Sequence, residues 1–388
     1  MSSYSLNRVA VLDGLRALAI VLVLCRHSIK PFWSDLSVPY IPIGSVDLGA
    51  IFINGWVGVD LFFVLSGFLI ASHLIRSFEG DRPFWPIFRS YIPRRFFRIA
   101  PVYYFVLSVA VLGLFPFYIL PDSAGDMGWR YVYHLLFFQD YWPSDIIVVF
   151  WSLAIEIKFY LLAPFLIYGL LKLRDWRVRV CLIMVLVGSQ PLSRFLFAPE
   201  VVGYEAYFEE VRTSFHMCLD GLLMGVLAAF LWADECVRRV LSGKMVASGM
   251  FVSGLIVFLG FGFSGPLVDL GVSGFDKVWL QAVVSAAFMF MLLGLMGQGG
   301  GYKFFQGGAL TFIALISYSL YLVHLPLLYL AEIMGLRFFD YMVMDERLGY
   351  VLYLPFFLVL SVFVATALYV FVEKPVIDWS KRRFLHQE

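Results

Sequence analysis

The chain has 388 residues, 61% of them hydrophobic and only 15% charged, with 29 Lys and Arg against 28 Asp and Glu. Together with a mean hydropathy of +0.84, this leaves too little polar surface to coat a water-soluble globule and predicts an all-α integral membrane protein. A net charge of +1 creates no field that would gather nucleic acid, so no nucleic-acid partner is expected.

The first residues, MSSYSLNRVAVLDG, lack a small-residue cleavage site and read as the lead-in to a retained helix. Apolar runs long enough to span a bilayer, about 20 residues each, fall near 9–30, 55–75, 99–119, 149–171, 180–197, 214–233, 245–263, 278–297, 311–331 and 348–372. They predict about ten transmembrane helices in a single domain over 1–388, with no internal repeat. The fifth run is the weakest, because Gln190, Pro191 and Arg194 near its end point to a bent or short helix. Basic connections, Arg76 to Arg98 (against Glu79 and Asp81), Lys172 to Arg179, Arg238 to Lys244 and the tail Lys381 to Arg383, alternate with acidic ones. The acidic ones hold Asp122 to Asp145, Glu200 to Glu210 and Asp340 to Glu346. The positive-inside rule then puts both termini in the cytoplasm, in agreement with an even number of spans. GQGGGYKFFQGG, near 297–308, lacks the Lys-Ser/Thr pair of a phosphate loop and reads as a flexible cytoplasmic connection.

Ionisable residues inside such runs cost several kcal/mol and mark function when they converge. In LDGLRALAIVLVLCRHS, Arg16 and His27 are eleven positions apart, almost three whole turns and about 16 Å of rise, so they share one helix face at two depths. A cytoplasmic layer holds Asp13, Arg16, Arg94, Arg95 and Arg98, and an outer layer holds His27, Asp60, Trp151, Ser152, Glu156, Asp220 and Tyr318 to His324. A lone intramembrane histidine is ordinarily a satisfied core residue, and an arginine cluster ordinarily enforces topology and snorkels to headgroups. As chemistry, His27 suits proton transfer near neutral pH, with Asp13, Asp60 or Glu156 as its orienting acid. Arg95 and Arg98, at i and i+3, suit paired recognition of phosphate oxygens. Asp220 beside Gly221 and Gly225 fits a hydrogen bond within a close helix contact. Cys25, Cys181, Cys218 and Cys236, like His27 and His324, lack metal-ligand spacing, so no metal is expected. No G-x-S-x-G elbow is present. Trp33, Trp129 and Trp142 read either as sugar-stacking surfaces or as interfacial anchors.

Five motifs in order, LDGLRALAIVLVLCRH, GWVGVDLFFVLSGFLI, RRFFRIAPVYYF, FWSLAIEIKFYLLAPF and ISYSLYLVHLPL, resemble the membrane acyltransferase-3 family, whose members O-acylate bacterial envelope glycans and related acceptors. The resemblance covers essentially the whole chain. It implies a ten-helix bundle of the bacterial inner membrane that moves an acyl group from cytoplasmic acyl-CoA, usually acetyl-CoA, to a hydroxyl of a periplasmic glycan or lipid-linked sugar. By motif it implies Arg16 and His27 as an essential pair, Arg95 and Arg98 as donor-binding residues, and Glu156 as a further acid, with Tyr318 and His324 matched less tightly. Some relatives add an extra helix and a hydrolase-like domain, which this sequence is not expected to contain.

The resulting expectation is an O-acetyltransferase in which Arg95, Arg98 and Arg16 hold the CoA phosphates. His27, oriented by Glu156 or Asp60, activates the acceptor, and Ser152, Trp151, Tyr318 and His324 lie near the developing oxyanion. Direct transfer and an acyl-histidine intermediate both fit. A polysaccharide transporter, or an assembly subunit working with envelope partner proteins, is the alternative.

Overall fold

The computed structural model describes residues 10–29, 42–43, 46–47, 49–80, 82–120, 126–198, 201, 206–263, 274–340 and 346–384. Asp81, Trp33, Asp122, Glu200 and the stretch 341–345, all used in the sequence reading, lie outside them. A helix accompanies every predicted apolar run. They are α1 (Ala10–Ser28), α2 (Ala50–Ser77), α3 (Phe84–Val111), the short α4 (Met127–Leu135), α5 (Val148–Lys172) and α6 (Trp176–Phe197). After these come α7 (Asp220–Ala233), the short α8 (Glu235–Leu241), α9 (Lys244–Gly262), α10 (Gly274–Met296), α11 (Gly308–Asp340), α12 (Glu346–Leu368) and α13 (Lys374–Phe384). The strands among the described residues form one two-residue antiparallel ladder, Pro42–Ile43 on Val46–Asp47.

Seven segments among the described residues are long and apolar enough to cross a membrane: α2, α5, α6, α9, α10, residues Gly308–Met334 of α11, and Tyr353–Phe384. The predicted count of ten is therefore not reached on length and apolarity alone. α1 carries Asp13, Arg16 and Arg26, α3 carries Arg89, Arg94, Arg95 and Arg98, and α7 has 14 residues. Charges account for the shortfall in the first two, and brevity in the third.

Close backbone approach fixes how these helices pack. A Cβ on Gly225 would lie 2.2 Å from the Val64 carbonyl oxygen, and one on Gly67 would lie 2.1 Å from that of Leu222. Gly221 and Gly225 on α7 therefore let it sit against α2, the small-residue contact the sequence pattern implies. α6 continues through Pro191 to Phe197, and Arg194 is its anchor. The Arg194 guanidinium, fully buried, donates to both carboxylate oxygens of Asp220 at 2.6 and 2.9 Å and to the Val278 carbonyl at 2.9 Å. A buried arginine with its donors met explains why a run that reads as weak forms a complete helix.

Two expectations need correction. The basic stretch before residue 99 is mostly helix, because α3 starts at Phe84 and runs through Pro93 and Pro101 to Val111. The connection at 297–308 is packed rather than loose: Phe305 is buried, and a Cβ on Gly14 would meet the Phe305 carbonyl oxygen at 2.2 Å. Lys158 of α5 pairs with buried Asp140 and lies over the Phe138 and Tyr141 rings at 4.9 and 4.8 Å.

Candidate active site

A cavity of about 510 Å³ opens among α1, α2, α3, α5, α11 and the segment after α12. Arg16, Arg76, Arg95, Arg98 and Lys381 line it with three carboxylates, Asp13, Glu156 and Glu373. Cations outnumber acids, so the interior suits an anionic ligand. Arg95 is held between the Tyr91 and Tyr160 rings, at 5.4 and 5.6 Å from their centroids, an arrangement that uses the flat guanidinium face and leaves its edge for hydrogen bonds. Arg16 lies 3.8 Å from Asp13 one turn earlier on α1, and the charges of Arg98 and Glu156 act on it.

The acids are held as firmly. Glu156 accepts hydrogen bonds from Ser66 Oγ at 2.7 Å and from Tyr160 at 2.6 Å. Glu373, absent from the sequence-based candidates, sits on a π-helical turn (Tyr369–Glu373) and accepts from Ser319 Oγ at 2.6 Å. Such turns re-aim a side chain within a helix and recur at functional positions.

At its far end the cavity stops at Ser152 and Tyr321. The Ser152 and Tyr321 hydroxyls lie 2.6 Å apart, and both reach the Val149 carbonyl, at 3.1 and 2.8 Å. One further turn of α11 brings His324, whose ring lies 5.9 Å from that of Tyr321. His324 Nε2 is 3.0 Å from His27 Nδ1, while His324 Nδ1 lies 2.8 Å from the Tyr321 carbonyl oxygen. A carbonyl only accepts, so His324 Nδ1 carries its proton and its Nε2 must accept. His27 Nδ1 is then the donor, and the lone pair of neutral His27 lies on Nε2. The Leu320 carbonyl, 3.2 Å from the same Nδ1, agrees with this polarity.

Asp60 has a different partner. Both of its oxygens accept from Arg212 at 2.8 Å, and Arg212, on a π-helical turn (Tyr207–Arg212), lies between the Trp56 and Trp151 rings at 5.1 and 5.2 Å. This buried, aromatic-flanked pair escapes a sequence reading, because Arg212 falls between the acidic stretch Glu200 to Glu210 and the apolar run that begins near 214.

Of the predicted residues, Arg16, Arg95, Arg98, Ser152, Glu156 and Tyr318 meet at the cavity. His27 and His324 form their own pair beyond it, and Asp60 and Trp151 belong to the Arg212 cluster. Among the described residues His27 meets His324, while Asp60 pairs with Arg212, and Glu156 accepts from Ser66 and Tyr160. Tyr318 donates to the Ile99 carbonyl at 2.8 Å, which ties α11 to α3 directly after Arg98. Tyr160 and Tyr321, missed in the sequence, lie at helical spacing from Glu156 and Tyr318. Among the described residues no group of three or more His, Cys, Asp or Glu is placed to hold a metal ion.

These features define a multi-pass membrane protein with a cationic cavity ending against a histidine pair. Residues 9–370 match the family model described as acyltransferase domain, and the chain belongs to that family. It is 27% identical over 345 residues to peptidoglycan O-acetyltransferase OatA of Listeria monocytogenes, covering 84% of this chain and 50% of the relative. The putative peptidoglycan O-acetyltransferase YrhL of Bacillus subtilis is 29% identical over 248 residues, 60% of this chain and 34% of that one. O-acetyltransferase OatA of Staphylococcus aureus is 26% identical over 397 residues, 96% and 58% respectively. The chain thus spans about half the length of the curated relatives it matches. No solved structure matches it.

Proposed function

We propose that this protein is an O-acetyltransferase of the bacterial inner membrane, taking an acetyl group from cytoplasmic acetyl-CoA and delivering it to a hydroxyl of an extracytoplasmic glycan or lipid-linked sugar. The observation that carries this reading is the His27–His324 pair, polarised to keep a lone pair on His27 Nε2, one layer of side chains beyond a cationic cavity. Family membership supports the reaction class, and the names of the relatives support a glycan acceptor of the peptidoglycan kind. Both termini then lie in the cytoplasm, with the cavity open toward that side.

In this mechanism Arg95, Arg98 and Arg16 bind the CoA phosphates as paired and single charge-assisted contacts. His27 Nε2 takes the proton of the acceptor hydroxyl, whose oxygen attacks the thioester carbonyl, and the C–S bond breaks to release CoA thiolate, which is reprotonated. His324 holds the ring of His27 and accepts the Nδ1 proton's hydrogen bond throughout. Ser152, at the boundary between cavity and histidines, supplies a hydroxyl to the developing oxyanion. Glu156 acts through Arg16 and Tyr160, and Asp60 and Trp151 act by fixing Arg212 beside the outer layer.

The test is transfer from radiolabelled acetyl-CoA in membranes carrying the native protein, His27→Ala or Arg98→Ala. The expected result is label in a glycan or lipid fraction with the native protein, a 10²- to 10⁴-fold loss with His27→Ala, and a raised KM for acetyl-CoA with Arg98→Ala. Undiminished transfer by folded His27→Ala would sink the proposal, as would native protein that moves no label when supplied with a complete envelope extract.

A further inference from the structure

One carboxylate of the cavity has no task in the proposed mechanism. Glu373 is 5% exposed and lines the cavity wall, and its one hydrogen-bonding partner among the described residues is Ser319, Oγ to Oε2 at 2.6 Å. Glu156, by contrast, already accepts from both Ser66 and Tyr160, and Asp13 lies beside Arg16 on α1. A carboxylate offers about four acceptor positions. Glu373 therefore keeps room for a hydrogen-bond donor brought by a ligand.

Its placement follows from the fold. Tyr369, Glu373, Ile377 and Lys381 all line the cavity and recur every fourth residue, so one slowly drifting stripe of the last helical segment makes this wall. Ser319 precedes Tyr321 by two residues, about 3 Å of rise along α11. The bond from Ser319 thus holds Glu373 close to the closed end, where the Ser152 and Tyr321 hydroxyls meet. Val59, Phe62 and Leu153 also line the cavity, and their side chains accept no hydrogen bond. A ligand N–H arriving there loses its water and needs an acceptor, and a carboxylate makes the strong, charge-assisted kind.

We infer that Glu373 recognises the acyl donor by accepting a hydrogen bond from the amide N–H nearest the sulfur of its pantetheine arm, with Ser319 aiming the carboxylate. The inference rests on the acetyl-CoA reading above. On that reading the phosphates stay with Arg95, Arg98 and Arg16 and the thioester reaches Ser152, so the stretch that passes Glu373 is the uncharged arm. The hydrogen-bond donor of that arm nearest the thioester is an amide N–H. The charges of Arg98 and Arg16 act on Glu373, so the same carboxylate is within electrostatic reach of the phosphate end.

The experiment compares acetyl-CoA with an analogue in which that amide nitrogen is replaced by an ester oxygen, so that the two donors carry the same thioester and phosphates and differ in one N–H. With native protein the KM for the ester analogue should be about tenfold higher or more. Glu373→Leu should raise the KM for acetyl-CoA and bring the ratio of the two KM values close to one, while Glu373→Gln, which keeps an acceptor oxygen, should give an intermediate ratio. Should Glu373→Leu not fold, the ratio measured with Glu373→Gln decides. A carboxylate that only balances the arginines would shift both KM values together and leave the native ratio, which overturns the inference while the transferase reading stands. A native ratio near one overturns it without any variant. If the native protein uses neither donor, both readings fall together.

Discussion

His27 and His324 lie 297 positions apart in the chain yet share one hydrogen bond, and the backbone carbonyls beside His324 Nδ1 set its direction. The sequence supplied both residues and their depth, but no spacing rule relates α1 to α11, so their pairing could not be read from it. Chemically, histidine can replace a carboxylate here, because an imidazole whose other nitrogen is already protonated presents a fixed lone pair. His324→Phe, which removes the acceptor and keeps the bulk, should lower kcat by about 10²-fold, within the range for general-base assistance, with the KM for acetyl-CoA unchanged. His324→Gln, which restores an acceptor oxygen, should recover part of that loss. Steady-state kinetics on the two variants decides it, and equal losses in both would show that His324 only fills space. Glu373 and Arg212 were illegible in the sequence for a common reason: each reaches its place from a π-helical turn, and no local pattern announces one.

At the scale of elements the apolar runs located the long helices, because each needs about 20 apolar residues and little else of comparable length does. The ends were less legible. α3 begins 15 residues before its predicted start, at Phe84 rather than 99, since arginines that suit a loop also suit a helix surface facing headgroups. Glycines separate by what they face. Gly225 meets backbone across the α2–α7 contact, whereas an added Cβ on Gly249 of α9 meets nothing within 4 Å. Gly225→Ala should reduce the folded fraction recovered in detergent, while Gly249→Ala should be neutral or stabilising by about 1 kcal/mol from helix propensity. Size-exclusion profiles of the two variants would show the contrast, and matching profiles would refute the packing argument.

The short helix α4 carries a pH dependence of its own. Burial pushes the pKa of His134 down to about 4; its Nδ1 bonds the Arg130 carbonyl at 2.8 Å, and its Nε2 has no partner among the described residues. An unfolded histidine titrates near 6.5, so between those values the unfolded state holds the extra proton. Stability is complete above pH 6.5 and falls as pH drops, by about 2 kcal/mol at pH 5. Thermal unfolding at pH 7.5 and 5.0 should show this loss in native protein and a smaller one in His134→Leu. Equal losses would place the sensitive group elsewhere.

For the molecule as a whole, two layers of chemistry at different depths imply a direction. Arg16 and His27 sit eleven residues apart on one unbroken helix, about 16 Å in rise, with the Ser152–Tyr321 layer between the cavity and the histidines. The sequence made these depths readable, because helical rise converts residue number into height. It could not show that Ser152 and Tyr321 close the cavity, since that depends on α5 meeting α11. The central claim is that donor and acceptor approach from opposite faces. It is tested most directly in inside-out membrane vesicles, with radiolabelled acetyl-CoA outside and a glycan acceptor enclosed. Native protein should place label on the enclosed glycan while acetyl-CoA stays outside, and His27→Ala should not. Label confined to acceptors on the donor side would contradict the account.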